Sequence, residues 1–403
     1  MNKRVFVTGT GIISSIGNNK KENLESLLSE KTGIGEITLL DTIHKGKIPV
    51  AEVKLTTPQL LTLLGAEGKK NLTRTAILGI MAAREAILDA GLNPDEIKKA
   101  GLVSATTVGG MDRSENFYSQ FLDNNSKGRL IDIVNHDCGD STERIAEYTG
   151  LKGFITTIST ACSSSANSIL FGARLIQSGI AERVIAGGTD SLTKFTLNGF
   201  NTLMILDKNG CKPFDDERAG LTLGEGAAFL VLESEEAMRK RNRKALCELS
   251  GCANANDAYH QTASSPDGNG ACLAMQAALD MSGIKPQDIS YINVHGTGTQ
   301  NNDLSEGIAL EKIFGNKVPP FSSTKTFTGH TLGAAGAVEA VFCMMAIQQK
   351  VIFPNLRFKI PMKEINIQPV TTLIRNMEIE HVLSNSFGFG GNNSTLIFSK
   401  AEK

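Results

Sequence analysis

The feature that most limits what this chain can fold into is a recurring alternation. Short apolar runs of strand length are followed by glycine-rich turns and then by segments with helical spacing of apolar residues. Strands made of continuous apolar runs need helices on their faces, so the pattern specifies an α/β layered fold. Arg4–Thr8, Leu102–Thr107, Val184–Ala186 and Ala227–Leu232 read as strands, as do Ala245–Leu249, Ile289–Val294 and Thr395–Ser399 further on. Asn18 is placed to cap a helix carrying Leu24, Leu27 and Leu28. A longer helix runs from Leu72 to Ala90, with Ile77, Ile80, Met81, Ile87 and Leu88 as its stripe and Gly91 as its stop. With 403 residues the chain exceeds one ordinary core. The charged stretch Ser234–Arg243 is the plausible seam, which divides the chain into residues 1–240 and 241–403, although the letters of the two parts show no repeat.

Composition excludes several classes. A net charge of -1 argues against bulk nucleic-acid or anionic-membrane binding. The longest apolar run, Ala340–Ile347, is too short to span a bilayer. Lys3 and Arg4 precede apolar residues, but Thr8, Gly9, Thr10 and Gly11 interrupt them, which reads as strand and turn rather than a signal peptide. The seven cysteines are odd in number and contain no C-x-x-C pair, which disfavours a zinc site or a disulfide framework and points to a reducing, cytoplasmic compartment.

Four motifs carry chemistry. Thr160-Ala161-Cys162-Ser163-Ser164-Ser165 follows a strand-like run, Phe154–Ile158, and opens a small-residue helix, Ala166–Gln177. A cysteine at such a turn faces unpaired N–H groups and a helix dipole that favour a thiolate, although a free cysteine is as often an inert buried one. Val294-His295-Gly296-Thr297-Gly298-Thr299 lies at the end of an apolar strand, where α/β folds place ligands, and Thr297 and Thr299 can turn their hydroxyls the same way. Lys325-Thr326-Phe327-Thr328-Gly329-His330 precedes a helix whose positive end disfavours an imidazolium at His330, while Lys325 and Glu339 can form a structural ion pair. Asn385-Ser386-Phe387-Gly388-Phe389-Gly390-Gly391-Asn392 reads as a mobile glycine loop with an aromatic plug, or as an ordinary turn between strands. One cysteine and two histidines on such turns form a coherent set for thioester chemistry.

In these motifs, and in Val7-Thr8-Gly9, Val108-Gly109-Gly110, Lys212-Pro213-Phe214-Asp215 and Gly224-Glu225-Gly226-Ala227, the chain resembles the elongating β-ketoacyl-acyl-carrier-protein synthases and their polyketide-ketosynthase cousins nearly end to end. The resemblance implies a thiolase-like α/β fold of two related halves in five α-β-α-β-α layers, usually dimeric. It implies decarboxylative condensation of an acyl-enzyme with a malonyl thioester, with Cys162 as the acyl acceptor and the Cys162 and Phe389 N–H groups as an oxyanion hole. His295 and His330 would stabilise the enolate, with Lys325 in the same catalytic group. Thr297, Thr299, Val108 and Phe387 would contact substrate, and Phe389 would gate the site. Glu339, Asp303 and Glu306 would give structural support, and Lys69, Lys70 and Lys208 would dock an acyl carrier protein. Substrates would arrive on a phosphopantetheine arm, and no metal or organic cofactor is implied.

Three segments depart from the pattern. Gln300–Glu306 looks closer to aromatic-polyketide ketosynthases, Asn392 stands where Thr is usual, and His136-Asp137-Cys138-Gly139-Asp140 is polar for a dimer seam. These raise a heterodimer with a ketosynthase-like subunit beside a homodimer, and polyketide or polyene synthesis beside fatty-acid elongation. A non-catalytic chain-length-factor-type subunit would lack Cys162, and a thiolase would need a cysteine in the 387–391 loop.

Overall fold

In the computed structural model, which describes residues 3–69 and 71–401, the first strand is longer than its apolar run. β1 (Val5–Ser14) passes through Gly9 and Gly11 with a bulge between Val7 and Gly9. The glycines are there because a helix lies directly on the strand: a Cβ at Gly9 would sit 2.4 Å from Ala90 N, and one at Gly11 2.1 Å from Ala82 O. The first half continues with α1 (Lys20–Leu28), α2 (Thr57–Leu64), α3 (Arg74–Ala90), α4 (Pro94–Lys99), β2 (Gly101–Ala105), α5 (Met111–Asp123), α6 (Cys138–Thr149), β3 (Ile155–Ile158), α7 (Ser164–Gln177), β4 (Arg183–Asp190), α8 (Lys194–Thr202) and β5 (Gly226–Ser234). After α9 (Glu235–Lys240) come β6 (Cys247–Asn256), α10 (Asn269–Ser282), β7 (Tyr291–Asn293), α11 (Gln300–Phe314), β8 (Phe321–Ser322), α12 (Lys325–Thr328), α13 (Ala335–Gln349), β9 (His381–Gly388) and β10 (Asn392–Ser399). Asn19, not Asn18, caps α1, and Thr73 caps α3, whose C-terminal cap is Gly91 in the left-handed region.

The strands form one ribbon in the order β3-β2-β4-β5-β1-β6-β10-β9-β7-β8. Read outward from its centre, the two ends match. β2 is parallel to β3 and β4, β4 is antiparallel to β5, and β5 to β1; β7 is parallel to β8 and β9, β9 is antiparallel to β10, and β10 to β6. The duplication absent from the letters is thus present in the topology. Among the described residues, the two sheets are joined in register only at Phe6–Glu248 and Val7–Cys247.

Burial gives five layers. On β5, Ala228, Leu230 and Leu232 face a central cluster built with α7 and α13, while Ala227, Phe229 and Val231 face α3 on the other side. On the second sheet, Val382 and Leu396 face the centre, and Leu383 and Ile397 face an outer cluster containing Ala271 and Met275 of α10 and Ala309 and Leu310 of α11. The α-β-α-β-α arrangement is therefore present. Leu332–Gln349, which contains α13, has 18 residues and the composition to cross a membrane, but 89% of it is buried inside the fold as part of the middle layer.

Candidate active site

Strand ends and helix starts converge on one cavity of about 370 Å³. Cys162, 7% exposed, comes from the turn between β3 and α7, where Ala161 holds a positive φ of 53°. His295, 2% exposed, follows β7, and His330, 1% exposed, follows α12. All three line the cavity with Thr297, Thr299, Phe387 and Phe389. The imidazole centroids are 5.4 Å apart with planes at 85°, and Phe387 packs 5.7 Å from His295.

The His295 turn is held from below by α11. Asp303 and Glu306, one turn apart, present their carboxylates to its backbone. Glu306 accepts from the N–H groups of His295 and Gly296 at 2.8 Å each, and from Asn385 Nδ2 at 3.1 Å. Asp303 accepts from the N–H groups of Thr297 (3.1 Å), Gly298 (3.2 Å) and Phe214 (2.8 Å). Gly298, at φ 85°, lets this turn pass where a Cβ would meet Gly220 O at 2.7 Å. The Thr297 and Thr299 hydroxyls end 2.9 Å apart on the cavity wall.

Lys325 anchors His295. Its Nζ pairs with Glu339 and lies 2.6 Å from the His295 carbonyl oxygen and 3.3 Å from His295 Nδ1. An ammonium only donates, so Nδ1 accepts and the ring proton resides on Nε2. Among the described residues, neither nitrogen of His330 has a hydrogen-bond partner, although the ring is buried. Burial, with Lys325 next in size, holds both imidazoles well below the ordinary histidine range, so both are neutral. The cause differs from the helix-dipole argument made from sequence, since α13 starts five residues after His330.

Residues 2–237 match the β-ketoacyl synthase N-terminal domain and residues 246–359 its C-terminal domain. The chain belongs to the β-ketoacyl synthase family. It is 35% identical over 100% of its length to the 3-oxoacyl-[acyl-carrier-protein] synthase 2 of Staphylococcus aureus (strain COL), 99% of which is covered. It is 36% identical to the enzyme of the same name from Synechocystis sp., covering 99% of this chain and 98% of that one. Among solved structures it is similar to the ishigamide ketosynthase/chain length factor (TM-score 0.93, 29% identity, 100% of both chains). It is also similar to a ketosynthase (ApeO) in complex with its chain length factor (ApeC) from Xenorhabdus doucetiae (TM-score 0.83, 31% identity, 99% of this chain, 98% of that one). As a β-ketoacyl synthase, the chain is an acyltransferase with condensing activity in fatty-acid or polyketide synthesis.

Within this β-ketoacyl synthase, several residues depart from their sequence reading. Burial pushes the Cys162 thiol up to about 12, outweighing the opposing pull of Lys325 and of the backbone N–H groups of Phe389 and Cys162 itself, so of the two states that the sequence left open, burial favours the thiol over the thiolate. Val108 does not line the cavity. It is 1% exposed in an apolar cluster with Leu192, Leu197, Leu221 and Leu332, against which Phe200 and Ile205 pack, and Leu221, Phe200 and Ile205 of that group do line the cavity. The glycine loop is a tight turn of three residues, Phe389–Gly391, closing the β9–β10 hairpin. Gly390 N–H donates to Gln261 O at 2.8 Å, and Phe389 stacks on Phe200 with centroids 6.0 Å apart. Lys208 is exposed just beyond the cavity-lining Met204 and Ile205, Lys69 is exposed after α2, and Lys70 lies outside the described residues.

Sequence reasoning missed Asp190 at the end of β4. Fully buried, it accepts from the N–H groups of Thr107 (3.0 Å), Val108 (3.1 Å) and Gly333 (2.7 Å), tying the turn after β2 to the one after His330. The signal was an acid closing an apolar strand in Gly187-Gly188-Thr189-Asp190. Also missed were Phe200 of α8 and Thr262–Ser264 ahead of α10, which complete the cavity wall.

Proposed function

We propose that Cys162 accepts an acyl group from a carrier-protein thioester and that His295 and His330 then stabilise the enolate of a malonyl thioester. In the first half-reaction the Cys162 sulfur attacks the thioester carbonyl. The tetrahedral oxyanion is held by the N–H groups of Cys162 and Phe389, and the carrier thiol leaves with the proton lost by Cys162. In the second, malonyl thioester loses carbon dioxide. The electron pair of the broken C–C bond forms an enolate whose oxygen accepts from His295 Nε2–H and from the protonated nitrogen of His330. The enolate carbon attacks the acyl-Cys162 carbonyl, a C–C bond forms, and the Cys162–acyl bond breaks. The product is a β-ketoacyl thioester two carbons longer. Thr297 and Thr299 would hold the amides of the phosphopantetheine arm, Phe387 would pack on it, and Phe389 would gate the site.

The observation that carries this reading is the buried, neutral histidine pair, with His330 unpaired at both nitrogens, facing the same cavity as Cys162. Groups built to donate to a developing negative charge need no partner until that charge arrives. Intact-mass analysis with a panel of acyl carrier proteins, followed by malonyl carrier protein, tests it: acylation on Cys162 and a product longer by two carbons are expected, and acylation elsewhere would overturn it.

We infer also that the working unit is a dimer of two related halves, 1–240 and 241–403, per subunit, in the cytoplasm. β3 is an edge strand, paired among the described residues only with β2, and Ile155 in it and Phe154 just before it are exposed, as are Tyr118, Leu122, Leu130 and Val134 on α5 and the turn after it. A ketosynthase-like subunit fits there. The two similar structures that pair a ketosynthase with a chain length factor favour a non-identical partner. Efficient elongation of saturated chains by a stable homodimer of this chain alone would overturn that second reading.

A further inference from the structure

The two N–H groups assigned to the oxyanion hole belong to different parts of the chain, one to the turn before α7 and one to the β9–β10 turn. Both pull the Cys162 thiol down against its burial. The turns are in backbone contact, since a Cβ at Gly388 would stand 2.8 Å from Thr160 O and 3.3 Å from Cys162 N. An oxyanion hole works only while its donors keep their spacing, so something must fix one turn against the other.

Asn392 is the side chain that bridges them. It opens β10 directly after the Phe389–Gly391 turn and pairs in register with Gly388. Its Oδ1 accepts from Asn167 Nδ2 in the first turn of α7 at 2.8 Å and from Asn254 Nδ2 on β6 at 2.8 Å, and lies 2.6 Å from the hydroxyl of Ser163, the neighbour of Cys162. Ser394 Oγ donates to Asn167 Oδ1 at 2.7 Å, and Asn254 Nδ2 reaches Ser394 Oγ at 2.9 Å, which closes a ring of amides and hydroxyls across α7, β6 and β10. None of these five side chains lines the cavity, so the ring does not touch substrate there. Its inner member, Ser163, is fully buried, and its outer member, Asn254, is exposed.

We propose that Asn392 is a positioning residue for acyl transfer: its amide oxygen locks the α7 turn to the β9–β10 turn and so sets the spacing of the Cys162 and Phe389 N–H donors. The inference rests on the Cys162 reading above and adds a residue to it. The role needs an acceptor oxygen, not an amide as such. Asn392→Asp keeps that oxygen, whereas Asn392→Ala removes the one acceptor that Ser163, Asn167 and Asn254 share, leaving Asn167 Nδ2 only its 2.9 Å bond to Thr160 Oγ1 and its longer contact to Ser163, and Asn254 Nδ2 its bonds to Asn167 Oδ1 and Ser394 Oγ.

The test measures acylation of the full-length chain by octanoyl-carrier protein, read by intact mass, beside alkylation of Cys162 by iodoacetamide, which needs no oxyanion hole. Asn392→Ala should be acylated about 10- to 100-fold more slowly at saturating donor with KM nearly unchanged, as for a displaced oxyanion donor. Its alkylation rate should fall far less than its acylation rate, since the N–H groups are only a minor pull on the thiol, and Asn392→Asp should recover most of the acylation rate. Wild-type acylation in Asn392→Ala, an equal loss of alkylation, or no recovery in Asn392→Asp overturns this inference alone. A wild-type chain that is not acylated at all overturns the parent reading with it.

Discussion

Lys325 Nζ stands 3.3 Å from His295 Nδ1 while pairing with Glu339, so one buried cation sets both the orientation of that ring and which nitrogen carries its proton. Removing the cation alone strands the Glu339 carboxylate, whose Oε2 already lacks a partner. Lys325→Met should therefore destabilise the fold by about 3–5 kcal/mol, the usual cost of breaking a buried pair. Lys325→Met with Glu339→Leu removes both charges and should regain most of the melting temperature, yet still decarboxylate malonyl thioester poorly. Full activity in the double variant would show that the pair is only structural.

The Cys162 thiol, pushed up to about 12 by burial, should behave as a slow nucleophile toward reagents that bring no binding energy. The thiolate fraction then rises about tenfold per pH unit throughout the neutral range. Iodoacetamide labelling of Cys162 should accelerate with unit slope from about pH 7 to 9 without levelling off, and Cys162→Ala should be folded but neither labelled there nor acylated. A plateau near pH 7 would mean that the N–H groups and Lys325 outweigh burial.

That outcome shows what a sequence can hold. The four motifs were legible because each sits within a few residues of a strand end, and the thioester chemistry follows from residue types alone. The state of Cys162 was not legible, since the helix dipole is a local feature whereas desolvation comes from every element packed over the turn. Gly9 and Gly11 looked like a strand's end, but they lie inside β1 because α3, some seventy residues later, rests on them. The repeated topology was implied by the family resemblance but not visible in the letters, because strand order needs only alternating burial, which many letters satisfy. Asn392 drew notice as an unusual letter, but its partners come from two other elements, α7 with its cap and β6.

His330 differs from Lys325 in making no side-chain hydrogen bond that the fold would miss. His330→Ala should keep acylation of Cys162 near the wild-type rate while condensation falls about 100- to 1,000-fold, the range for one lost oxyanion-type donor. The buried rings also predict acid sensitivity. Their folded pKa values lie below the unfolded value of 6.5, so the stability linked to them is present above that pH and is lost as pH falls toward the folded values. The melting temperature should drop from pH 7 to 5, and less steeply in His330→Ala.

Glu306 meets two N–H donors with two carboxylate oxygens. Glu306→Gln turns one of those acceptors into an NH2 group facing an N–H, a mismatch that costs about 1–3 kcal/mol when buried. The strained segment is His295-Gly296, so decarboxylation should fall alongside the melting temperature, whereas alkylation of Cys162, on another turn, should stay at the wild-type rate. Equal losses at both sites would point to general unfolding.

Carrier-protein docking separates the two lysines that the structure describes. Lys208 follows Met204 and Ile205 on the cavity wall, whereas Lys69 follows α2, whose Leu60 and Leu64 pack into the outer cluster with α3. A carrier whose arm must enter the cavity has to rest on its rim, so Lys208 lies on the shortest approach. Exposed charges act mainly through association rate and are each worth about 1 kcal/mol or less, so reversal at either site should raise KM for carrier-borne donor roughly fivefold and leave kcat alone. The effect should fade with added salt, as screening at a Debye length of about 8 Å near physiological ionic strength requires. A pantetheine thioester without the protein should be used equally well by wild type, Lys208→Glu and Lys69→Glu. A Lys208→Glu variant whose carrier-protein KM does not move at low salt would remove Lys208 from the docking surface, and the same result for Lys69→Glu would leave docking to apolar residues of the rim such as the exposed Met204.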